Sequence, residues 1–483
     1  MKRSLFLNVM SLAVIFIYVS VVFVLSFWAG NGGRTNSDAF FSAGRNSRWY
    51  VVAFGMIGAS MSGVSVVSVP GMVRSANFSY MQMVFGFILG YLFVAAVLLP
   101  LYYKLNLTSI YGYLRLRFGK VTHKTAAASF LLFKMVSASV RLYVAVLVLQ
   151  SCVLDSMGVS FEMTAAFSVA IMFLYTFRSG LGSVVWTDVF QTFCMLVSVV
   201  ALSADVIMRL DMSFGEIMSM VWSDSRSDIF VFDKIDSRTN FFKQLLSGAF
   251  VVIVMTGLDQ DVMQKNLTCR NLRDAQKNMI IGGFGFVPVN LLLLVLGLLL
   301  LLYAGQEGVV LPAMSDQILP FFAAHTSGFV AVCFVIGVLA AAFSSADSAL
   351  ISMTTSFAVD ILDKRDISKR ERFFIHASVT VIFAALMFCF RYINCDSVID
   401  AIYTIVSYLY GPLLGLFAFG IFTKIKVNDR LVPFVAALSP VITFVLVYLL
   451  KNIFGYEFGY ELLLLNGVLT VAGLAAIKKR AVS

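Results

Sequence analysis

Charge is what this sequence has least of. Only 13% of its 483 residues are Asp, Glu, Lys or Arg, while 60% are hydrophobic. Soluble globular domains carry about 25% charged residues, so a bilayer rather than water must surround most of this chain. Histidine is scarce as well: His123, His325 and His376 lie far apart. The six cysteines, Cys152, Cys194, Cys269, Cys333, Cys389 and Cys395, form no CxxC pair. Metal binding and redox chemistry are therefore unsupported. Strand-length segments of alternating polarity are missing, which excludes a transmembrane barrel. With neither a histidine-acid cluster nor a catalytic cysteine signature, a membrane-embedded enzyme is not expected.

What the sequence does have is long apolar runs, each sufficient to cross about 30 Å of hydrocarbon as a helix. The first, about residues 8–28 after Met1-Lys2-Arg3, exceeds the roughly 7 to 15 residues of a signal-peptide core and lacks small-residue cleavage spacing. It is expected to be a retained span. The fold class expected is all-α integral membrane, with thirteen transmembrane helices near 8–28, 50–73, 80–103, 125–154, 161–177, 183–208, 242–260, 276–305, 318–358, 373–391, 397–422, 431–451 and 459–476.

With the N-terminus outside, the inner segments hold 24 of the 36 basic residues. These are Arg34, Arg45, Arg48, Lys104, Arg115, Arg117, Lys120, Lys124, Arg178, Lys265, Arg270, Arg273, Lys277, Lys364, Arg365, Lys369, Arg370, Arg372, Lys424, Lys426, Arg430, Lys478, Lys479 and Arg480. That asymmetry follows the positive-inside rule, supports an odd span count with a cytoplasmic C-terminus, and explains the net charge of +10 without nucleic acid. Two further bases, Lys134 and Arg141, sit seven apart on one face of the fourth span. A charge at bilayer depth costs about 2.5 to 3.5 kcal/mol on insertion scales, so such residues face the bundle interior or water. They either contact a solute or form structural ion pairs, for which Asp188 and Asp347 are the candidate acids.

The second span concentrates small and polar residues in Gly55-Met56-Ile57-Gly58-Ala59-Ser60-Met61-Ser62-Gly63-Val64-Ser65. This composition suits either close helix packing or a broken helix whose unwound carbonyls face a cavity. The ninth span carries Ala341, Ser344, Ser345, Asp347 and Ser348, three hydroxyls and a carboxylate within two turns. Hard cations such as sodium prefer oxygen donors of these kinds, and the ninth span favours the broken-helix reading of the second. Asp188 opens another apolar segment in Val185-Trp186-Thr187-Asp188.

Five pieces in order resemble the sodium/solute symporter family over nearly the whole chain. They are Leu105 through Tyr111 with Arg117-Phe118-Gly119; Ser179 through Gly182 leading to Trp186 through Gln191; Asp259 through Gln264; Ala341 through Ser348; and Gly411 through Phe417. Family members carry sugars, proline, sialic acid, iodide or monocarboxylates. The resemblance implies a LeuT-type core of two inverted five-helix repeats around a midplane site. On it, residues 1–483 form one transporter domain: 1–49 hold the extra first span and an inner loop, 50–208 the first repeat, 242–422 the second, and 423–483 two C-terminal spans.

The resemblance also implies site residues. A common sodium site would take the carbonyls of Gly58, Met61 and Ala341 with the hydroxyls of Ser344 and Ser345. A second, like that of sialic acid carriers, would take Asp188, Ser344 and Ser348, with Asp347 where those carriers have serine. The added carboxylate either tightens this site or pairs with Lys134. Substrate contacts would come from Ser60, Ser62, Ser65, Gln82, Arg141 and Phe250, although Gln82 suits an interhelical hydrogen bond equally and Phe250 suits plain packing better than a substrate lid. Val252 and Met255 stand where sugar carriers have asparagine and tyrosine, which argues against a galactose-like site. Sialic acid carriers place a carboxylate-binding arginine where this chain has Ser137, one turn before Arg141.

The function expected is sodium-coupled symport of a small organic solute into the cell, with an organic anion such as sialic acid or another carboxylate leading, because guanidinium pairs with carboxylate at two points. The alternatives are a neutral sugar or amino acid, or a non-transporting sensor on the same fold. A sensor is expected to carry a signalling domain, and the sequence ends at Ser483 just after its last span. Sodium as coupling ion is the only cofactor expected, and the protein is expected to be a monomer in the plasma membrane, the inner membrane of a bacterium.

Overall fold

A computed structural model describes residues 2–29, 43–232, 237–326, 328–364, 367–391, 398–456 and 458–479. Arg34, Arg365, Arg480 and Cys395 lie outside these residues. Among the described residues every regular element is helical, and pairing between extended segments is limited to two isolated bridges, Ser47 with Cys269 and Val427 with Lys478.

The principal helices are α1 (Lys2–Ala29), α2 (Trp49–Ser60), α3 (Gly63–Ala76), α4 (Tyr80–Phe93), α5 (Lys120–Leu149), α6 (Phe161–Ser179), α7 (Leu181–Leu210), α8 (Phe241–Val252), α9 (Gln260–Asn266), α10 (Leu272–Glu307), α11 (Gly328–Ser356), α12 (Lys369–Phe390), α13 (Val398–Leu409), α14 (Gly411–Phe422), α15 (Val432–Phe454) and α16 (Leu462–Ala476). Among the described residues eight helices are long and apolar enough to cross a membrane, and ten if each of two bent pairs is one span. The count falls below the expected thirteen because Trp49–Ser60, Phe161–Phe177 and Leu462–Ala476 are short and because Gly63–Lys104 counts as one stretch where two spans were expected. The 318–358 segment divides into Ile318–Ala324 and α11, and the second span is split into α2 and α3. The seventh span bends by 70° between Gly257 and Gln260, and the eleventh by 46° between α13 and α14.

Burial ranks the helices. In α11, 78% of the apolar window is buried, against 17% in α1 and 22% in α15, so α11 is the central pillar and α1 and α15 face outward. Helix α7 runs along α11, α2 lies on α7, α5 packs on the other side of α11, and α8 lies along α4. This arrangement explains the small residues of α2. A Cβ on Gly58 would fall 2.0 Å from Thr192 Oγ1 and 2.9 Å from Thr192 Cα, so only glycine lets α2 approach α7 this closely.

Candidate functional site

In α2 the last helical bond runs from Met61 N to Ile57 O. Met61 (φ −84°, ψ 88°) and Ser62 (φ −69°, ψ 168°) are extended before the chain re-enters a helix at Gly63. The carbonyls from Gly58 onward thus lose their partners inside the protein, where each must find another. Ala59 finds one in Ser345, whose hydroxyl lies 3.0 Å from Ala59 O and 3.1 Å from Ala341 O. Because α11 repeats every 3.6 residues, Ala341 and Ser345 stack on one face, and that face meets the end of α2. Ala341 and Ser345 are thus joined to the end of α2 on which Gly58 and Met61 flank Ala59, and Ser344 precedes Ser345 on α11.

Ser344 belongs to a buried ion-pair cluster. Its hydroxyl donates to Asp188 Oδ1 at 2.5 Å, and Lys265 Nζ lies 2.7 Å from Asp188 Oδ2. Asp188 is 1% exposed and Lys265 2%. Asp347, fully buried one turn along α11, accepts from the Tyr175 hydroxyl at 3.2 Å. Asp188, Ser344, Asp347 and Ser348 are therefore neighbours, but Asp188 already holds a cation of the protein's own.

The seventh span supplies that cation. A π turn at Ile253–Gly257 ends in Leu258, and Asp259 caps α9 by accepting from the amides of Asp261 and Val262. The backbone freed by the bend is satisfied from the segment that precedes α5. Tyr102 donates to Gly257 O at 2.9 Å, and Tyr111 to Leu258 O at 2.9 Å. Gln260 clasps the same segment, accepting from Ile110 N at 2.9 Å and donating to Thr108 O at 3.2 Å. This holds α9 in the interior, which corrects the expectation for Lys265: it is a buried ion-pair partner and not an inner-loop base.

Lys134 is corrected likewise. Its ammonium pairs with Asp261 at 2.7 Å and Asp259 at 3.2 Å, rather than with Asp188 or Asp347. Tyr410 donates to Asp259 at 2.8 Å, so α5, the broken seventh span and the bend before α14 meet at one carboxylate. Asp259, Asp261 and Lys265 were not nominated from the sequence. The signal available was an aspartate two residues after Gly257, in the position of a helix N-cap.

Beside this network lies a cavity with about 980 Å³ of empty volume, part of it open to solvent. Ser60, Ser62, Ser65 and Arg141 line it, as do Val252 and Met255. Apolar walls come from Phe87, Phe286 and Ile402, and hydroxyls from Tyr80, Tyr91 and Tyr403. Ala59 and Met61 belong both to this wall and to the junction of α2 with α11, and Lys265 both to the wall and to the Asp188 cluster. Among the described residues Arg141 Nε has no hydrogen-bond partner and the guanidinium makes no ion pair, whereas Lys134 and Lys265 are both paired.

Two nominated residues lie elsewhere. Gln82 is fully buried and spent on backbone: it donates to Ser79 O at 3.1 Å and Thr239 O at 2.9 Å, and accepts from Val231 N at 3.1 Å. It ties α4 to the segment before α8 and is not part of the cavity wall. Phe250 is half-buried against the core, also outside that wall.

Known proteins resemble this chain at the level of family and fold. It is 24% identical to the sodium/sialic acid symporter NanT of Aliivibrio fischeri, over 89% of this chain and 86% of that one. It is also 24% identical to the human sodium/iodide cotransporter over 82% of this chain, spanning 63% of that longer protein. A solved sodium-coupled sialic acid symporter, in a substrate-bound outward-open state, superposes with a TM-score of 0.80 at 20% identity, covering 97% of this chain and 98% of that one. These relatives are named as carriers and not as enzymes. The model of the sodium:solute symporter family matches residues 40–430, and the chain belongs to that family.

Proposed function

We propose that this protein carries a small organic anion, such as sialic acid or another carboxylate, into the cell together with sodium. The observation that carries the reading is Arg141, a guanidinium in the cavity wall with an unpartnered Nε and, among the described residues, no acid paired to it. A desolvated guanidinium calls for an anion, and carboxylate matches its two-point geometry. The serines of the α2 break would bind further polar groups of the solute, and Phe87, Phe286 and Ile402 its apolar body.

Sodium would bind at the carbonyls of Gly58, Met61 and Ala341 and the hydroxyls of Ser344 and Ser345. Those atoms join α2, the neighbour of the solute, to α11, the pillar. An ion bridging them favours the conformation in which the junction is closed, and a ligand shifts a conformational equilibrium only by such differential affinity. Ala59 and Met61 touch both sites, which would pass that preference to the cavity.

The reading includes thirteen spans: α2 with α3 as one broken span, the two bent pairs as one each, and α6 and α16 as short ones. The N-terminus would lie outside and the C-terminus in the cytoplasm of a plasma membrane, the inner membrane if the cell is bacterial. Residues 50–208 and 242–422 would be the inverted repeats of a monomer.

A thermal-shift screen of carboxylates, sugars and amino acids, with sodium or potassium as the salt, tests the reading. A substrate raises the melting temperature by mass action. Stabilisation by a carboxylate in sodium, lost in Arg141→Gln, is the expected result. Stabilisation by neutral sugars alone, unchanged in Arg141→Gln, would refute the anion.

A further inference from the structure

The second sodium site implied by the family resemblance is the place where the structure and that resemblance disagree. Its donors would be Asp188, Ser344, Asp347 and Ser348, yet both Asp188 oxygens are taken. Oδ1 accepts from Ser344 at 2.5 Å, and Oδ2 faces Lys265 Nζ at 2.7 Å. Asp347 turns Oδ2 to the Tyr175 hydroxyl at 3.2 Å. An ammonium has three donors and no lone pair, so it cannot join a sodium's coordination shell. It satisfies the carboxylate the ion would need, and its charge opposes a second cation on the same group.

We propose that Lys265 is the resident cation of this second site, so that the protein binds one sodium per cycle, at the first site, where two would otherwise be held. The placement of the ammonium is built in. Lys265 stands on α9, which the bend at Gly257 to Asp259 turns into the interior and which Gln260 locks to Ile110 and Thr108. Across the contact, Asp188 is held on α7, where Thr192 Oγ1 donates to Asp188 O at 2.7 Å one turn later. Both partners are buried, so water does not compete for the pair. Lys265 also lines the solute cavity, and Lys134 cannot take its place because Asp259 and Asp261 hold it. A tethered cation of this kind makes Lys265 a specificity-determining residue for ion number: it fills the charge requirement of Asp188 without being transported.

The inference rests on the sodium site proposed above, and counting bound ions separates the two. Equilibrium binding of radioactive sodium to the purified full-length protein, without solute, is expected to saturate at one ion per chain. In Lys265→Met it is expected to rise to two, and in Lys265→Arg to stay at one. Two ions in the wild type would overturn the role of Lys265 and leave the first site intact. One ion in a folded Lys265→Met protein would overturn it as well. No bound sodium in the wild type would overturn the first site and this inference together. If Lys265→Met does not fold, the wild-type count decides alone.

Discussion

The Ser345 hydroxyl sits 3.0 Å from the carbonyl oxygen of Ala59, joining the centre of the most buried helix to the end of a broken one. That contact lies within the proposed sodium site, and the same hydroxyl also lies 3.1 Å from Ala341 O. Ser345→Ala removes one proposed ligand and leaves Ala59 O unpartnered. A polar contact to a charged group is worth about 1.5 to 3 kcal/mol, so sodium affinity is expected to fall about 10- to 150-fold, read as the sodium concentration for half-maximal uptake. An unchanged sodium requirement would remove Ser345 from the site.

Lys134 holds two carboxylates, Asp259 and Asp261, that have no other cation within ion-pair distance among the described residues. Lys134→Met leaves buried charge uncompensated, a loss of about 3 to 5 kcal/mol for a broken buried pair. A markedly lower melting temperature in detergent is expected, recovered in part by adding Asp261→Asn. Lys134→Met melting with the wild type would show that the pair contributes nothing to stability.

Gly58 is set by contact with Thr192. Gly58→Ala places a methyl group against Thr192 Oγ1 and Cα, and such overpacking costs about 1 to 3 kcal/mol. Both the melting temperature and sodium affinity are expected to fall. Adding Thr192→Ala removes the hydroxyl but leaves Cα, so recovery should be partial. Full sodium affinity in Gly58→Ala would show that α2 need not approach α7 so closely.

Gln82→Leu separates a strap from a solute contact. It strands the amide of Val231 and the carbonyls of Thr239 and Ser79, at a cost of about 1 to 3 kcal/mol. Stability is expected to fall while the apparent KM stays within about twofold of the wild type. A large rise in KM at unchanged stability would return Gln82 to the solute site.

The break in the second span was legible only with the ninth: Gly55, Gly58, Ser60, Ser62, Gly63 and Ser65 suit close packing as well as a broken helix, and the hydroxyls and carboxylate of Ser344, Ser345, Asp347 and Ser348 tipped the reading. The seventh-span break was not legible. Val251 through Met255 read as continuous apolar helix, and one glycine before Leu258 does not announce a 70° bend. Once that bend is missed, Lys265 falls by spacing among inner-loop bases, and Asp259 and Asp261 look like interfacial acids. Charge-placement rules count residues along the chain and cannot see a short helix turned back into the interior. Lys134 was legible as a buried base because its cost demands a partner, but which acid pairs with it depended on the bend. Gln82 shows the converse: a polar residue in an apolar helix can be consumed by backbone that only the folded loop brings to it.

Solute accumulation in proteoliposomes under an imposed inward sodium gradient tests coupling through the α2 and α11 junction most directly. A carboxylate selected by the thermal-shift screen should concentrate inside the vesicles, fail to do so in a potassium gradient, and lose its sodium response in Ser344→Ala and Ser345→Ala. Equal accumulation in sodium and potassium, or a full sodium response in both variants, would contradict the account.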